Sequence, residues 1–341
     1  MTSDIRVGLL GYGIAGRVFH APLISSTDGM TLAAIVTADP ERRAHAEAAH
    51  PTAKVLNSAD ELFAEELDLV VVATPNKTHV ELATRAIEAG LPAVVDKPFA
   101  PSAREARRLV ELAEEHGVQL TVFQNRRWDS DFLTVRANLG RLGDIRRFES
   151  RYERWVPEIW DNWREFGAPD EAGGLLYDLG AHIVDQAIQL FGPVRTVYAE
   201  LDRRRPGALV DDDVFVALTH TSGVRSHLWA SATAAHHGPR FRVLGGEGAF
   251  VIKGLDGQED ALAAGRRPGD PGWGEEPAER QGFVGLLEAG SKVPLERGAY
   301  ERFYETLRDG GTPVDPREAV YALEVIEAAF RSAREQEVVQ L

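Results

Sequence analysis

Directly after the apolar run Ile5–Leu10 the chain reads Gly11-Tyr12-Gly13-Ile14-Ala15-Gly16, a GxGxxG that closes a strand and opens a helix. In that position the first glycine makes the turn, the second lets a pyrophosphate reach the backbone, and the third lets helix and strand pack closely. The amide groups of the opening turn, which carries Ile14 and Ala15, then face the anion. Further apolar runs at Thr31–Val36, Lys54–Leu56, Leu69–Ala73, Ala93–Val95 and Gln119–Phe123 alternate with amphipathic segments. That rhythm is the βαβ pattern of a parallel sheet covered by helices. Ser58 with Glu61 and Ser102 with Glu105 read as capping boxes, and Gly90 and Gly117 stand where helix C-caps belong.

A chain of 341 residues is too long for one compact core and suits two. The first spans 1–124 as a Rossmann NAD(P)-binding domain. The second spans 125–341 as a substrate-binding and oligomerisation domain of α+β type. Its rhythm changes to Ile145–Tyr152, Val194–Asp202, Asp213–Thr221, Val224–Thr233, Arg240–Leu244 and Ala249–Lys253, which predicts a large, mainly antiparallel open sheet. A sheet with one uncovered face tends to find a partner, so a homodimer or homotetramer through this domain is expected. The Gly/Pro-rich stretch 254–297 reads as a surface excursion, and Glu318–Arg334 as a helix with Val320, Leu323, Ile326 and Phe330 on one side.

The charge balance narrows the partners. Thirty-eight Lys and Arg against 53 Asp and Glu give −15, a field that repels nucleic acid and anionic membrane alike. With no cysteine there is no thiolate nucleophile, disulfide or cysteine zinc site. Met1–Asp4 is polar and no apolar run approaches about 18 residues, so the expectation is a cytoplasmic protein without a membrane span.

The ribose end of the cofactor site is ambiguous. NAD binding calls for a carboxylate at the end of the second strand, where this chain has Thr37, then Asp39 and Arg42-Arg43. Thr37 and Arg42 suit a 2′-phosphate and favour NADP over NAD, whereas Asp39 would repel it. Thr74-Pro75-Asn76-Lys77-Thr78-His79 follows the fourth strand and Asp96-Lys97-Pro98 the fifth. In an open α/β sheet both segments border the crevice that holds the ligand.

The densest polar constellation of the second half is Gly173-Gly174-Leu175-Leu176-Tyr177-Asp178-Leu179-Gly180-Ala181-His182-Ile183-Val184-Asp185-Gln186. At helical spacing Asp178, His182, Asp185 and Gln189 share a face, and Leu176, Leu179, Ile183, Ala187 and Leu190 another. Three readings stay open for this stripe: a catalytic acid/base, a metal site, or a satisfied surface or interface stripe. Trp155, Trp160 and Trp163 cluster around Pro157 and could wall a pocket.

Taken in order, the fingerprint, Thr-Pro-Asn, Asp-Lys-Pro and Gly-Gly…Asp-x-Gly-x-His-x-x-Asp resemble the glucose-fructose oxidoreductase and inositol dehydrogenase (Gfo/Idh/MocA) family over nearly the whole length. Within it, His20 and Pro22, Asn125-Arg126-Arg127-Trp128-Asp129 and Asp256-Gly257-Gln258-Glu259-Asp260-Ala261-Leu262 are most similar to NADP-dependent scyllo-inositol dehydrogenases. Where those relatives carry a Ser-Arg-like pair after strand two, this chain has Ala38-Asp39. The resemblance implies hydride transfer between a nicotinamide and a cyclitol or sugar, with Lys97, Asp178 and His182 as the catalytic set and no metal. It implies cofactor contacts from Gly11, Gly13, Ile14, Ala15, Gly16, Thr37, Arg42, Thr74, Pro75, Asn76, His79, Asp96 and Lys97. Asn125, Arg127, Tyr152, Trp155 and Trp163 are candidates for the substrate walls, beside Asp178 and His182. The alternative is a Rossmann protein that senses the NAD(P) redox state, or binds a partner, without turnover.

Overall fold

A computed structural model of the chain describes residues 4–160, 163–167 and 172–341. The chain divides into two compact units, Met1–Asn125 with Gln258–Gly274 and Ala299–Val320, and Arg126–Gly257 with Glu275–Gly298 and Tyr321–Leu341.

In the first unit β1 (Ile5–Leu10), β2 (Met30–Val36), β3 (Lys54–Leu56), β4 (Leu69–Val72), β5 (Ala93–Asp96) and β6 (Leu120–Phe123) stand where the apolar runs predict them. They form one parallel sheet in the order β3-β2-β1-β4-β5-β6, the doubly wound Rossmann order. The strand order reverses between β1 and β4, which is where such sheets take their ligand. All four residues of β4 are buried, as a strand covered by helices on both faces requires. Ser58 and Ser102 accept the backbone N–H of Glu61 and Glu105 at 3.2 Å in each case, so both capping boxes form.

The helix after the fingerprint departs from simple α geometry. Ala15–His20 is π-wound, with Ala21 donating to Gly16, before Ala21–Ser25 continues as α-helix. Pro22, which has no N–H, sits in the first turn of that continuation.

Segments far along the chain complete this unit. The indole of Trp273, 1% exposed, donates to Glu301 at 2.8 Å, and Tyr300 donates its backbone N–H to the Gln258 side chain at 2.9 Å. Phe123 packs edge-on against Phe303, centroids 4.9 Å apart, and Thr121 donates its hydroxyl to the Val314 carbonyl at 2.8 Å. The division into 1–124 and 125–341 is therefore not continuous in the compact units, and part of 254–297 is core rather than surface excursion. The buried Trp273 indole anchors that stretch.

The second unit is built on a nine-stranded sheet. Its strands are β7 (Ile145–Glu153), β8 (Val194–Asp202), β9 (Asp213–His220), β10 (Arg225–Ser231), β11 (Phe241–Gly245), β12 (Ala249–Ile252), β13 (Gln281–Gly285), β14 (Ser291–Pro294) and β15 (Val339–Gln340). The order is β14-β13-β12-β11-β7-β10-β9-β8-β15, antiparallel except where β7 meets β10. Along β9 every second residue is buried, the signature of a sheet covered on one face. The helix Ala181–Phe191 packs on β7 and β10. The opposite face carries Phe215, His227 and Trp229, with the Arg151 guanidinium 4.0 Å from the Trp229 ring centroid. Strand β13 escapes the sequence pattern because Gly282 removes a side chain from the alternation and the Phe250 ring occupies its place, and β14 because its four residues, Ser291–Pro294, are too few and too polar. The helix Pro316–Glu335 buries Val320, Leu323 and Ile326. No described helix is long and apolar enough to cross a membrane.

Candidate active site

The fingerprint glycines behave differently. Gly11 has φ +96°, and a Cβ there would lie 2.5 Å from the Ala73 carbonyl oxygen. A Cβ at Gly16 would collide with the Gly11 carbonyl. At Gly13 the space is open, with Arg42 Nη1 at 3.9 Å the nearest neighbour of the absent Cβ. Two glycines are closed by backbone and the middle one is bare, which is the fit a pyrophosphate needs. Ile14 beside it is 56% exposed, and Ala15 begins the π-wound turn.

At the ribose end Thr37 is buried, and Asp39 caps the helix Pro40–Ala49 by accepting the Arg42 backbone N–H at 2.8 Å. The carboxylate expected to repel a 2′-phosphate thus has a local structural use. Arg43 donates to the Val55 carbonyl at 2.9 Å and to the Asn57 side chain at 2.7 Å, while the Arg42 guanidinium lies toward Gly13.

After β4, Thr74, Pro75 and the 3-10 turn Asn76–Thr78 lead into the helix His79–Glu88, with the Thr78 hydroxyl donating to Thr74 Oγ1 at 2.7 Å. After β5, Lys97 donates its backbone N–H to Asp96 Oδ1 at 2.9 Å, and the Lys97–Pro98 peptide is cis. His79 touches both loops: Nδ1 is 2.9 Å from the Pro98 carbonyl oxygen and Nε2 is 2.9 Å from that of Thr74. His20 flanks the same carboxylate. Its Nε2 is 4.0 Å from Asp96 and its Nδ1 is 2.6 Å from the Tyr304 hydroxyl. Burial pushes the His20 ring down to about 4, against the pull of Asp96. Sequence reading noted His20 only as a family residue. Its partner Tyr304 is 284 positions away, and no local pattern could have paired them.

The catalytic candidates of the second unit lie on a helix that starts with a π-wound turn, Leu176–Gly180, and continues as Ala181–Phe191. The irregular turn breaks the even 100° spacing assumed for the polar stripe. Ala181 to Ala187 are all buried, His182 at 4% exposure and Asp185 at 2%, whereas Gln189 is exposed. The helix start is tied to Asp211, whose carboxylate accepts the Leu176 N–H at 2.7 Å and whose carbonyl accepts that of Leu175 at 3.0 Å. Burial raises the Asp211 carboxyl to about 6.

Asp185 meets Arg127 in a two-pronged ion pair. Gln186 donates to the Arg126 carbonyl at 3.0 Å and accepts from Arg240 Nη2 at 2.9 Å, while Arg240 Nη1 donates to Ser150 at 2.7 Å. Tyr152 is buried under this network, 4.5 Å from the Arg240 guanidinium to its ring centroid, and burial pushes its hydroxyl far up. Arg127, a candidate substrate wall, is thus tied into a buried network, and Tyr152, another, lies beneath it. Asn125, in the first unit, is buried in the 3-10 turn Asn125–Trp128; Trp155 is 57% exposed. Trp163 opens the short helix Trp163–Phe166, and its side chain lies outside the described residues. What the sequence does not show is that Arg126, Asp131 and Arg240 are buried or that Arg240 pairs with Asp131, because the two partners stand far apart along the chain.

Comparison with known proteins bears on the whole length. A model of the NAD-binding Rossmann fold of an oxidoreductase family, GFO_IDH_MocA, matches residues 5–124, and one of the family's C-terminal alpha/beta domain matches 136–341. The uncharacterized oxidoreductase YdgJ of Escherichia coli is 40% identical, with 98% of each chain covered. The scyllo-inositol 2-dehydrogenase (NADP(+)) IolW of Bacillus subtilis is 36% identical, covering 99% of this chain and 96% of the relative. Among solved structures, yvaA of Bacillus subtilis superposes with a TM-score of 0.93 at 35% identity, covering 99% of each chain.

Proposed function

The chain belongs to the Gfo/Idh/MocA oxidoreductase family, and from that premise we propose that it is an NAD(P)-dependent dehydrogenase acting on a secondary alcohol of a cyclitol or sugar. The observation that carries the reading is the bare backbone at Gly13 between two glycines closed by backbone. The relative IolW, an NADP-dependent scyllo-inositol 2-dehydrogenase, supports the polyol class and the preference for NADP.

In this reading Gly11, Gly13, Ile14, Ala15 and Gly16 cradle the pyrophosphate, and Thr37 and Arg42 receive the 2′-phosphate end. Thr74, Pro75, Asn76, Asp96 and Lys97 border the crevice, with His79 supporting them. When bound, the nicotinamide supplies or takes up hydride. His182, oriented by Asp178, accepts the proton of the substrate hydroxyl during oxidation and returns it during reduction. The Lys97 ammonium stabilises negative charge developing on that oxygen. Asn125, Arg127, Tyr152, Trp155 and Trp163 are the candidate walls, and Arg127 also fixes the helix of His182 through Asp185. We also propose that the uncovered sheet face with Phe215 and Trp229 joins copies of the chain into a homodimer or homotetramer.

The test is single-turnover hydride transfer in Lys97→Ala and His182→Ala. Each variant should still bind NADP, Lys97→Ala more weakly because Lys97 also borders the cofactor, and each should lose about 10²–10⁴-fold in the chemical step at saturating cofactor. Near-parental turnover in either would remove that residue from its role.

A further inference from the structure

His79 faces two acceptors. Its Nδ1 is 2.9 Å from the carbonyl oxygen of Pro98 and its Nε2 is 2.9 Å from that of Thr74. A carbonyl has only lone pairs to offer, and a neutral imidazole has one N–H and one lone pair. A neutral ring would therefore set a nitrogen lone pair against an oxygen lone pair at hydrogen-bond distance, in a site where His79 is 1% exposed. Only the doubly protonated ring satisfies both contacts, so the geometry demands an N–H on each nitrogen.

Every charged or titratable group facing the ring enters this balance. Burial, the largest effect, leaves the ring's pKa lowered on balance, with Lys97 acting in the same direction; Asp96 and the hydrogen bonds to the two carbonyls oppose it, and it is the pair of acceptor contacts that calls for the cation. His20, whose Nε2 is 4.0 Å from Asp96, also acts on the ring, but burial keeps it neutral and Nδ1 stays within hydrogen-bond distance of Tyr304. The start of the helix His79–Glu88 disfavours a cation as well. Asp96 thus has one charged imidazole to balance, not two.

The two carbonyls belong to the loops that follow β4 and β5. One loop carries Thr74 and Asn76, and the other carries Lys97. We propose that His79 is a positioning residue for Lys97: its imidazolium, hydrogen-bonded through both nitrogens to the Thr74 and Pro98 carbonyls, ties the two loops together with Asp96 as counter-charge. The catalytic importance of that placement rests on the hydride-transfer reading; the charge state of His79 does not.

Two measurements on the whole protein separate these parts. In protein labelled with 15N-histidine at pH 7, with His79 assigned by its loss in His79→Gln, both ring nitrogens should resonate as protonated. One nitrogen resonating as an unprotonated lone-pair type overturns the proposal. The chain has only five lysines, so 13Cε-lysine labelling resolves Lys97 directly. His79→Phe, which keeps the ring's bulk but has no donor, should shift and broaden the Lys97 signal more than His79→Gln, which keeps one donor group. A Lys97 signal unmoved in folded His79→Phe removes the positioning role whether or not a substrate is known. With a turned-over polyol, His79→Phe should lose about 10²-fold in kcat, as a misplacement of about 1 Å can cost, and His79→Gln less. A smaller loss in His79→Phe than in His79→Gln would show that bulk rather than hydrogen bonding matters, and that order or equal losses would contradict the proposal.

Discussion

Arg127 and Asp185 form a bidentate ion pair, Nε to Oδ2 at 2.9 Å and Nη2 to Oδ1 at 2.6 Å, with side chains 10% and 3% exposed. Asp185 follows His182 by less than one helical turn, so the pair pins the helix that bears the candidate base to the turn Asn125–Trp128. Breaking a buried ion pair by removing one partner typically costs about 3–5 kcal/mol. Arg127→Ala and Asp185→Ala should each lose about that much in denaturant unfolding. The double variant Arg127→Met/Asp185→Leu should lose clearly less than the sum. Simple additivity would show that the two side chains do not act together.

The glycine fingerprint predicts a split between stability and binding. Gly11→Ala and Gly16→Ala push a Cβ into backbone and should lower the melting temperature sharply. Gly13→Ala meets open space, so stability should stay within about 0.5 kcal/mol of the parent. The added methyl stands where the pyrophosphate would approach, and the cofactor Kd should rise about tenfold or more, the scale of about 1–3 kcal/mol of overpacking. Calorimetric titration with NADP beside thermal melts reads both. An unchanged Kd in Gly13→Ala would argue against the cradle.

The two neighbouring arginines after β2 should behave unlike each other. Arg42 lies toward Gly13, whereas Arg43 is tied to Val55, Asn57 and Glu47. Loss of a charge-assisted contact of about 1.5–3 kcal/mol in Arg42→Ala should lower kcat/KM for NADP roughly 10- to 100-fold and leave NAD almost untouched. Arg43→Ala should weaken the fold and treat both cofactors alike. Equal effects of Arg42→Ala on NADP and NAD would remove the 2′-phosphate assignment.

His20 makes the fold acid-sensitive. Its folded-state pKa of about 4 lies below the ordinary 6.5, and the largest cause is burial. Below pH 6.5 the unfolded chain takes up a proton that the folded ring refuses, so stability falls as pH drops from about 6.5 toward 4. The full contribution is on the order of 3 kcal/mol. Urea unfolding at pH 5 and 7.5 should show a smaller acid loss in His20→Gln, which does not titrate. An identical pH profile in that variant would place the sensitivity elsewhere.

Much of the fold is legible in the sequence because each Rossmann strand is a short apolar run bounded by caps that act locally. The fingerprint and the two capping boxes sit within six residues or fewer. What escapes reading is long-range. Strand β13 loses its alternation to glycine and β14 is too short and polar to show one, while Trp273, Tyr300 and Tyr304 return to the first unit from the far end of the chain. At the site, Lys97 and His182 are prominent by motif, yet the partners that hold their surroundings are not. The fork of Arg127 on Asp185 joins positions 58 apart, and the two acceptors of His79 lie in segments separated by 24 positions.

The central claim, hydride transfer to a nicotinamide from a polyol, is tested most directly by absorbance at the reduced-nicotinamide wavelength. Purified protein with NADP is offered a panel of cyclitols, including scyllo-inositol, and sugars, and the same panel is run with NAD. Substrate-dependent formation of reduced cofactor is expected with at least one of these polyols, faster with NADP, and is lost in Lys97→Ala. No reduction with either cofactor across the panel, in protein shown to bind NADP, would contradict it.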